Sequence, residues 1–300
     1  MPALRSMLMN SYYYFYMSAI RPLYNISPNK KFKNASLSLT NAEKKIFTEL
    51  KENGISITHI NALFPDMNLQ NLISLANQEI EKPENKTKID NANKKISEGR
   101  GKYYNVQFWN GVKFQERNEF TDLFLQDSVV KIAASYLETY CKMYYLDLWY
   151  NIPTGGKSIL SQKWHRDPDD LNCVKVFLYL NDVDENMGPF SYIPKTPYGN
   201  ILGNTFPRGA PGQPGPSPEQ INEKFGDKSI SCTGTAGTII FCDTTGLHKG
   251  GHSLSKPRYL LNACFRSNGS YWRYSEEHKN SIANFRENNF SSELVRYSVQ

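Results

Sequence analysis

Three hundred residues, 39% hydrophobic and 13% aromatic, suffice for one large domain or two small ones with a sizeable core, and exclude a disordered or collagen-like chain. No apolar run approaches the roughly 20 residues that cross a bilayer, which excludes a membrane-spanning class. The formal charge of +6 is unevenly placed: residues 1–100 carry 14 Lys+Arg against 9 Asp+Glu, the other 200 carry 21 against 20.

The basic residues of the first third, such as Lys30, Lys31, Lys33, Lys94 and Lys95, are interspersed with Asn and Glu, the texture of a solvated surface. Neither a nucleic-acid partner nor a membrane partner is therefore expected, and the resemblance given below implies a small-molecule substrate. The cysteines Cys141, Cys173, Cys232, Cys242 and Cys264 are odd in number and form no C-x-x-C pair. Most lie in apolar runs, which reads as buried free thiols in a reducing, cytoplasmic compartment.

In chain order, residues 1–38 form an N-terminal extension, partly irregular. Its run Tyr12-Tyr13-Tyr14-Phe15-Tyr16 is poor material for a secretory signal. Two readings stay open: Met17 as the native start, with 1–16 upstream of it, or a clamp of tyrosines packed on the body or on a second subunit. Thr40 with Glu43 is a capping box, and Ile46, Phe47 and Leu50 at helical spacing before Gly54 predict a helix over 41–52. Residues 55–60 alternate as a strand. Leu69, Leu72, Ile73, Ala76 and Ile80 mark a second helix starting near Pro65. The polar stretch 82–102 reads as a loop or weak helix. Residues 117–139 carry a buried helical face broken near Asp127-Ser128. Beyond it, short β-rich runs at 142–150, 174–180, 189–193, 229–232, 238–242 and 258–265 are separated by Gly, Pro, Asn and Asp. The Pro/Gly-rich segment 203–219 is a stiff loop, able to close over a site or to run over the surface. The tail 271–300 is expected to be helical, around 275–288.

Chemistry concentrates in two places. In Ser161-Gln162-Lys163-Trp164-His165-Arg166-Asp167, an extended backbone puts His165 and Asp167 on one face and turns Trp164 and Arg166 away. His248 follows 83 residues later, and Arg258 ten after that. Two imidazoles and one carboxylate that leave three coordination positions open form the facial triad of non-haem Fe(II) oxygenases. An arginine beyond them offers a planar fork for a dicarboxylic co-substrate. His252 competes with His248, being four residues on, but Gly250 and Gly251 argue against the helix that this zinc spacing needs. His59 and His278 have no supporting context.

The order of His165-Arg166-Asp167, Gly188-Pro189-Phe190-Ser191-Tyr192-Ile193-Pro194, Gly237-Thr238-Ile239-Ile240-Phe241, His248 and Arg258 resembles the phytanoyl-CoA dioxygenase family of iron- and 2-oxoglutarate-dependent oxygenases, from about Leu39 to Phe265. Where that family reads Pro-Gly-Ser-His, this chain has Pro194-Lys195-Thr196-Pro197, a departure at the mouth of the site that bears on substrate identity. The resemblance implies a mainly β fold with flanking helices and a double-stranded β-helix (jelly roll, cupin-like) core. One oxygenase domain would span 39–270, helical over 39–139 and jelly roll over 140–270. It also implies Fe(II), 2-oxoglutarate and O2 as cofactor and co-substrates, with His165, Asp167 and His248 on the metal. The pattern favours His248 over His252 because Arg258 lies ten residues beyond it, and assigns Arg258 the distal carboxylate of 2-oxoglutarate. The serine that other branches place two residues after this arginine is missing, so Gln162 is the candidate for a second polar contact. Phe190, Tyr192 and Lys175 are candidates for the substrate pocket.

The implied reaction is hydroxylation of a small metabolite, coupled to decarboxylation of 2-oxoglutarate to succinate and CO2. Related halogenases lack the carboxylate that Asp167 supplies. Two alternatives stay open: a metal-binding barrel without turnover, and a cupin enzyme that ignores 2-oxoglutarate. Substrate identity and oligomeric state are not readable from the sequence.

Overall fold

Alternation along the strands decides what each face of the barrel carries. In a computed structural model that describes residues 2–109, 118–154, 158–254, 256–271, 290 and 292–299, Val174, Val176 and Leu178 enter one apolar core, while Phe177 and Tyr179, between them in sequence, enter another. The large sheet runs, in spatial order, β1 (Ile55–His59), β7 (Thr238–Cys242), β4 (Val174–Tyr179), β9 (Arg258–Arg266), β3 (Lys142–Asn151) and β2 (Asn105–Gln107). The small sheet runs β6 (Ile230–Cys232), β5 (Phe190–Tyr192) and β8 (His248–Lys249). Every pairing is antiparallel. Phe177, Tyr179 and Leu260 of the large sheet meet Phe190, Tyr192 and Cys232 of the small one in a shared core. Two sheets packed in this way, with an open mouth, make the jelly-roll barrel.

Helices cover the outer face of the large sheet. α3 (Asn41–Asn53) is closed by the expected capping box, Thr40 accepting from the Glu43 N–H and Glu43 from the Thr40 N–H. With α4 (Leu69–Glu81), α6 (Glu119–Phe124) and α7 (Asp127–Leu137) it packs Ile46, Leu50, Leu72, Phe124 and Ile132 against Val176, Leu178, Leu261 and Ala263. α4 begins four residues after Pro65, because Asn68 caps it by accepting from the Asn71 N–H.

Three segments differ from the sequence reading. Residues 83–97, expected as a loop or weak helix, form the full helix α5 (Pro83–Ser97). Proline at its first position gives up only an N–H that no helix uses, and Glu84, Lys94 and Lys95 match the helix dipole. The extension, expected to be partly irregular, is helical over most of its length: α1 (Pro2–Phe15) and α2 (Arg21–Asn34) are joined by a π-helical turn over Tyr16–Ile20, and irregular chain follows Asn34. Of the tyrosine run, Tyr13 and Tyr16 are buried on the body, each edge-on to Tyr271. The end of the Pro/Gly-rich loop becomes α8 (Pro218–Phe225), started by a Ser217–Gln220 capping box. A helix at 275–288 lies outside the described residues; a short one is present at Glu293–Ser298. All five cysteines are buried and free.

Candidate metal centre

The segment 163–167 joins no named strand, but it lies along β8 as a strand would. His165 and His248 exchange both backbone hydrogen bonds, at 2.9 and 3.0 Å, and the Asp167 N–H donates to Thr244 O at 2.8 Å. Residues distant in sequence are thus directly opposite one another, with ring centroids 4.2 Å apart. His165 Nε2 stands 3.7 Å from Asp167 Oδ1, and His248 Nε2 3.8 Å from Asp167 Oδ2. One nitrogen from each imidazole and one carboxylate oxygen all fall within 4.8 Å of one another.

The backbone fixes which nitrogen each ring offers. His165 Nδ1 is 2.8 Å from Lys163 O, and His248 Nδ1 is 3.0 Å from Gly246 O. A carbonyl only accepts, so both Nδ1 atoms carry the proton and both Nε2 lone pairs point at the common centre, the arrangement of a ligating histidine. Burial, with His165 next, pushes the His248 pKa down to about 3, so its ring is neutral. Burial would raise Asp167, but the Lys175 ammonium and then the two imidazoles hold it far below the usual carboxylate range. The Lys175 Nζ donates to Asp167 Oδ2 at 2.5 Å. Burial alone would lower Lys175, yet Asp167, followed by Tyr145, keeps it well above an ordinary lysine. Ligand atoms about 2.1 Å from one cation lie about 3 Å apart, so the three donors close by roughly an ångström around a metal.

Inward from this cluster is a cavity of about 120 Å³ lined by His165, Asp167, His248, Lys175, Phe190 and Arg258, with Trp149, Ser161, Phe177, Tyr179, Gly250 and Leu260 also in its walls. Arg258 opens β9 directly opposite Asn151 of β3. It is buried, and its Nε and Nη2 donate to Asn151 Oδ1 at 3.2 and 2.8 Å while Nη1 donates to Gly188 O. Burial lowers its pKa. Among the described residues no carboxylate forms an ion pair with it. The indole N–H of Trp149 is buried in the same wall and has no partner among them. Outward lies a larger cavity of about 420 Å³ between His165, Asp167 and the loop from Phe206 to Pro216. The two cavities share His165 and Asp167.

The remaining predicted residues are divided between the cavity wall and other parts of the fold. Gln162 is buried and caps its own turn, its Oε1 accepting from the Ile159 N–H, and it does not line the inner cavity. Tyr192 is also outside that lining; its hydroxyl donates to Asp243 O at 2.7 Å. Phe190 and Lys175 do line it, but Lys175 is committed to Asp167. Trp164 packs with Ile193, Ile221, Phe225 and Leu247, and Arg166 donates to the carbonyls of Thr196, Thr205, Phe206 and Thr245. His252 bonds Thr154, and His59 stands by Ala236 O. His278 lies outside the described residues. Sequence reasoning passed over Trp149, Asn151, Phe177 and Tyr179. Lys175, Phe177 and Tyr179 share one face by simple alternation, a signal that was present. Asn151 and Trp149 become relevant only through the β3–β9 register.

Two antiparallel sheets closing on a pocket with a His-x-Asp…His cluster define a cupin-like double-stranded β-helix. Among solved structures of this architecture, EctD from S. alaskensis with bound Fe is 13% identical, covering 80% of this chain and 83% of its own, with a TM-score of 0.52. The non-heme alpha ketoglutarate dependent carbocyclase SnoK from nogalamycin biosynthesis is 16% identical, covering 76% and 87%, with a TM-score of 0.49. Identities this low establish the fold alone. No family model matches the sequence, and no curated protein matches it.

Proposed function

We propose that this chain is an Fe(II)- and 2-oxoglutarate-dependent oxygenase of the phytanoyl-CoA dioxygenase type that hydroxylates a small metabolite. The observation that carries the reading is one pocket holding both a two-histidine, one-carboxylate donor set with its lone pairs turned inward and a buried guanidinium without a carboxylate partner. An uncompensated buried charge is costly, so Arg258 calls for an anion. Charge counting agrees: Lys175, Arg258 and Asp167 leave the inner cavity at +1, and a divalent cation would make it +3, suited to a keto diacid. The unpaired Trp149 N–H is a further donor for such a guest.

His165, Asp167 and His248 would hold the iron, and Arg258, oriented by Asn151 and Gly188, the far carboxylate of 2-oxoglutarate. When bound, iron and 2-oxoglutarate supply the oxidative decarboxylation with O2 that yields succinate, CO2 and a hydroxylated product. Phe177, Phe190 and Leu260 keep water from the inner cavity, and the outer cavity under the 206–216 loop has the position and size for the substrate. The two chambers meeting at His165 and Asp167 would place substrate and co-substrate on opposite sides of the metal.

Purified protein supplied with Fe(II), O2 and 2-oxoglutarate is expected to release succinate, His248→Ala to release none, and Arg258→Ala to bind metal but require more 2-oxoglutarate. If calorimetry detects metal binding and no 2-oxoglutarate binding, the barrel binds metal without this turnover. If Arg258→Ala binds 2-oxoglutarate as the unaltered protein does, the role given to Arg258 is wrong.

A further inference from the structure

The N-terminal helices are apolar on the side that borders water as well as on the side that faces the body, where Tyr13, Tyr16 and Met17 are buried. Their inward side carries the polar work: Asn10 Oδ1 accepts from the Ala210 N–H at 2.8 Å, Asn25 bonds Ser267 Oγ and the Gly269 N–H at 3.0 Å each, and the Tyr16 hydroxyl donates to Ser270 O. Their outward side is also rich in apolar residues. Leu8, Tyr12, Phe15, Leu23 and Ile26 are each more than half exposed. With exposed Ala19 they recur at intervals of three or four residues, which is one continuous stripe along the helical axis. The same spacing continues into exposed Lys30, with Lys33 three residues further on.

Charge says what would cover this stripe. The first acidic residue of the chain is Glu43, and before it come Arg5, Arg21, Lys30, Lys31 and Lys33. Arg21 is used internally by Asp170, and Lys31 pairs with Glu293. Lys30 and Lys33 have no ion pair among the described residues. An apolar, tyrosine-bearing stripe that ends in unpaired lysines and is free of acid matches an anionic lipid surface, where aromatic side chains sit at headgroup depth and lysines meet phosphate. A second copy of the same face would instead bring like charges together.

We propose that the face formed by Leu8, Tyr12, Phe15, Leu23 and Ile26 docks this protein on an anionic phospholipid membrane. Among the described residues no helix is long and apolar enough to cross a membrane; a helix lying in the interface needs no such length. Docking of this kind would depart from the expectation of no membrane partner. The docked helix also holds the 206–216 loop, through Asn10 and through Ser6, which accepts from Gln213 Nε2 at 2.9 Å, so the membrane would border the roof of the outer cavity. The inference does not depend on the proposed reaction.

The test is co-sedimentation of the full chain with vesicles of phosphatidylcholine alone and with phosphatidylserine added. Binding is expected to the anionic vesicles, to weaken as salt is raised, and to fall by about 25-fold in Lys30→Ser/Lys33→Ser, each lysine near the surface contributing about a factor of five. Leu23→Glu/Ile26→Glu, which alters only exposed positions, is expected to abolish it while thermal melting stays unchanged. If that variant does not fold, the lysine pair and the salt series still decide. Failure to bind anionic vesicles, or equal binding to both kinds, overturns the proposal. So does a dimer in light scattering that the glutamate variant dissociates without any vesicle binding, since the face would then belong to a second copy.

Discussion

Lys175 is the charge partner of Asp167, its ammonium balancing a part-buried carboxylate. A metal bound as proposed would take over that role and make the lysine a competitor. Lys175→Met is therefore expected to lower the stability of metal-free protein by about 3 kcal/mol, the usual cost of stranding one member of a buried pair, and to tighten divalent-metal binding. Urea melts with and without chelator, and calorimetric metal titration, check both signs; stability lost equally in both states would refute the exchange. Arg258→Lys keeps a charge but loses the fork, so its affinity for 2-oxoglutarate should fall about tenfold or more, the worth of one charge-assisted hydrogen bond, with metal binding unchanged in the same titration. His165, Asp167, His248 and Arg258 could be singled out in the sequence because their spacing is itself the signal. Asn151 could not be, because only strand register places it opposite Arg258. Gln162 illustrates the converse. Its proximity in sequence to His165 suggested a ligand, but a local turn claims its side chain first.

Elements reach the site through backbone contacts as much as side chains. Gly251 packs so closely on Gly188 that a Cβ on it would overlap the Gly188 carbonyl, whose oxygen accepts from Arg258. Gly251→Ala should displace that carbonyl and weaken 2-oxoglutarate binding more than metal binding, a split that separate titrations would reveal; an equal loss of both would mean general unfolding. On the outer face, α3 is tied to α7 by Lys131 and Glu43, 3.1 Å apart. Burial would raise Glu43, but hydrogen bonds from Ser128 and the Thr40 N–H, with Lys131, hold its pKa below 4.5. A carboxyl depressed on folding contributes stability that is full above its unfolded pKa and disappears as pH falls through the folded one. Glu43→Gln should accordingly have a lower urea midpoint at pH 7, with the gap closing below about pH 4.5. Capping boxes and alternating strands were legible because they are local rules. α5 is hard to read because its apolar face is thin and its polarity resembles a loop, and α8 because the prolines upstream mask the Ser217–Gln220 cap.

At the scale of the whole molecule, the mouth of the barrel is closed by contacts between residues far apart in sequence. Asp167 hydrogen-bonds to β8's approach through Thr244 and reaches across to β4 through Lys175, so this one carboxylate links the small sheet to the large. Such closure was the least legible feature of the sequence: the segment with His165 and the strand with His248 are separated by 83 residues, and nothing local specifies that they pair. A metal on His165, Asp167 and His248 would add a cross-link that exists only in the folded barrel, and ligands that bind the native state alone stabilise it by mass action. At a hundredfold excess over Kd this amounts to about 2.7 kcal/mol, which for a chain of 300 residues corresponds to a rise of about 4 °C in Tm. Thermal melts of protein stripped with chelator and reloaded with Fe(II) under anaerobic conditions, or with a redox-inert divalent ion, should show that rise, and Asp167→Ala should show little of it. Because Asp167→Ala also leaves Lys175 without its partner, its metal-free Tm should fall as well, so the comparison is between the two metal-induced increments. An increment as large in Asp167→Ala as in the unaltered protein would place the bound ion away from this cluster.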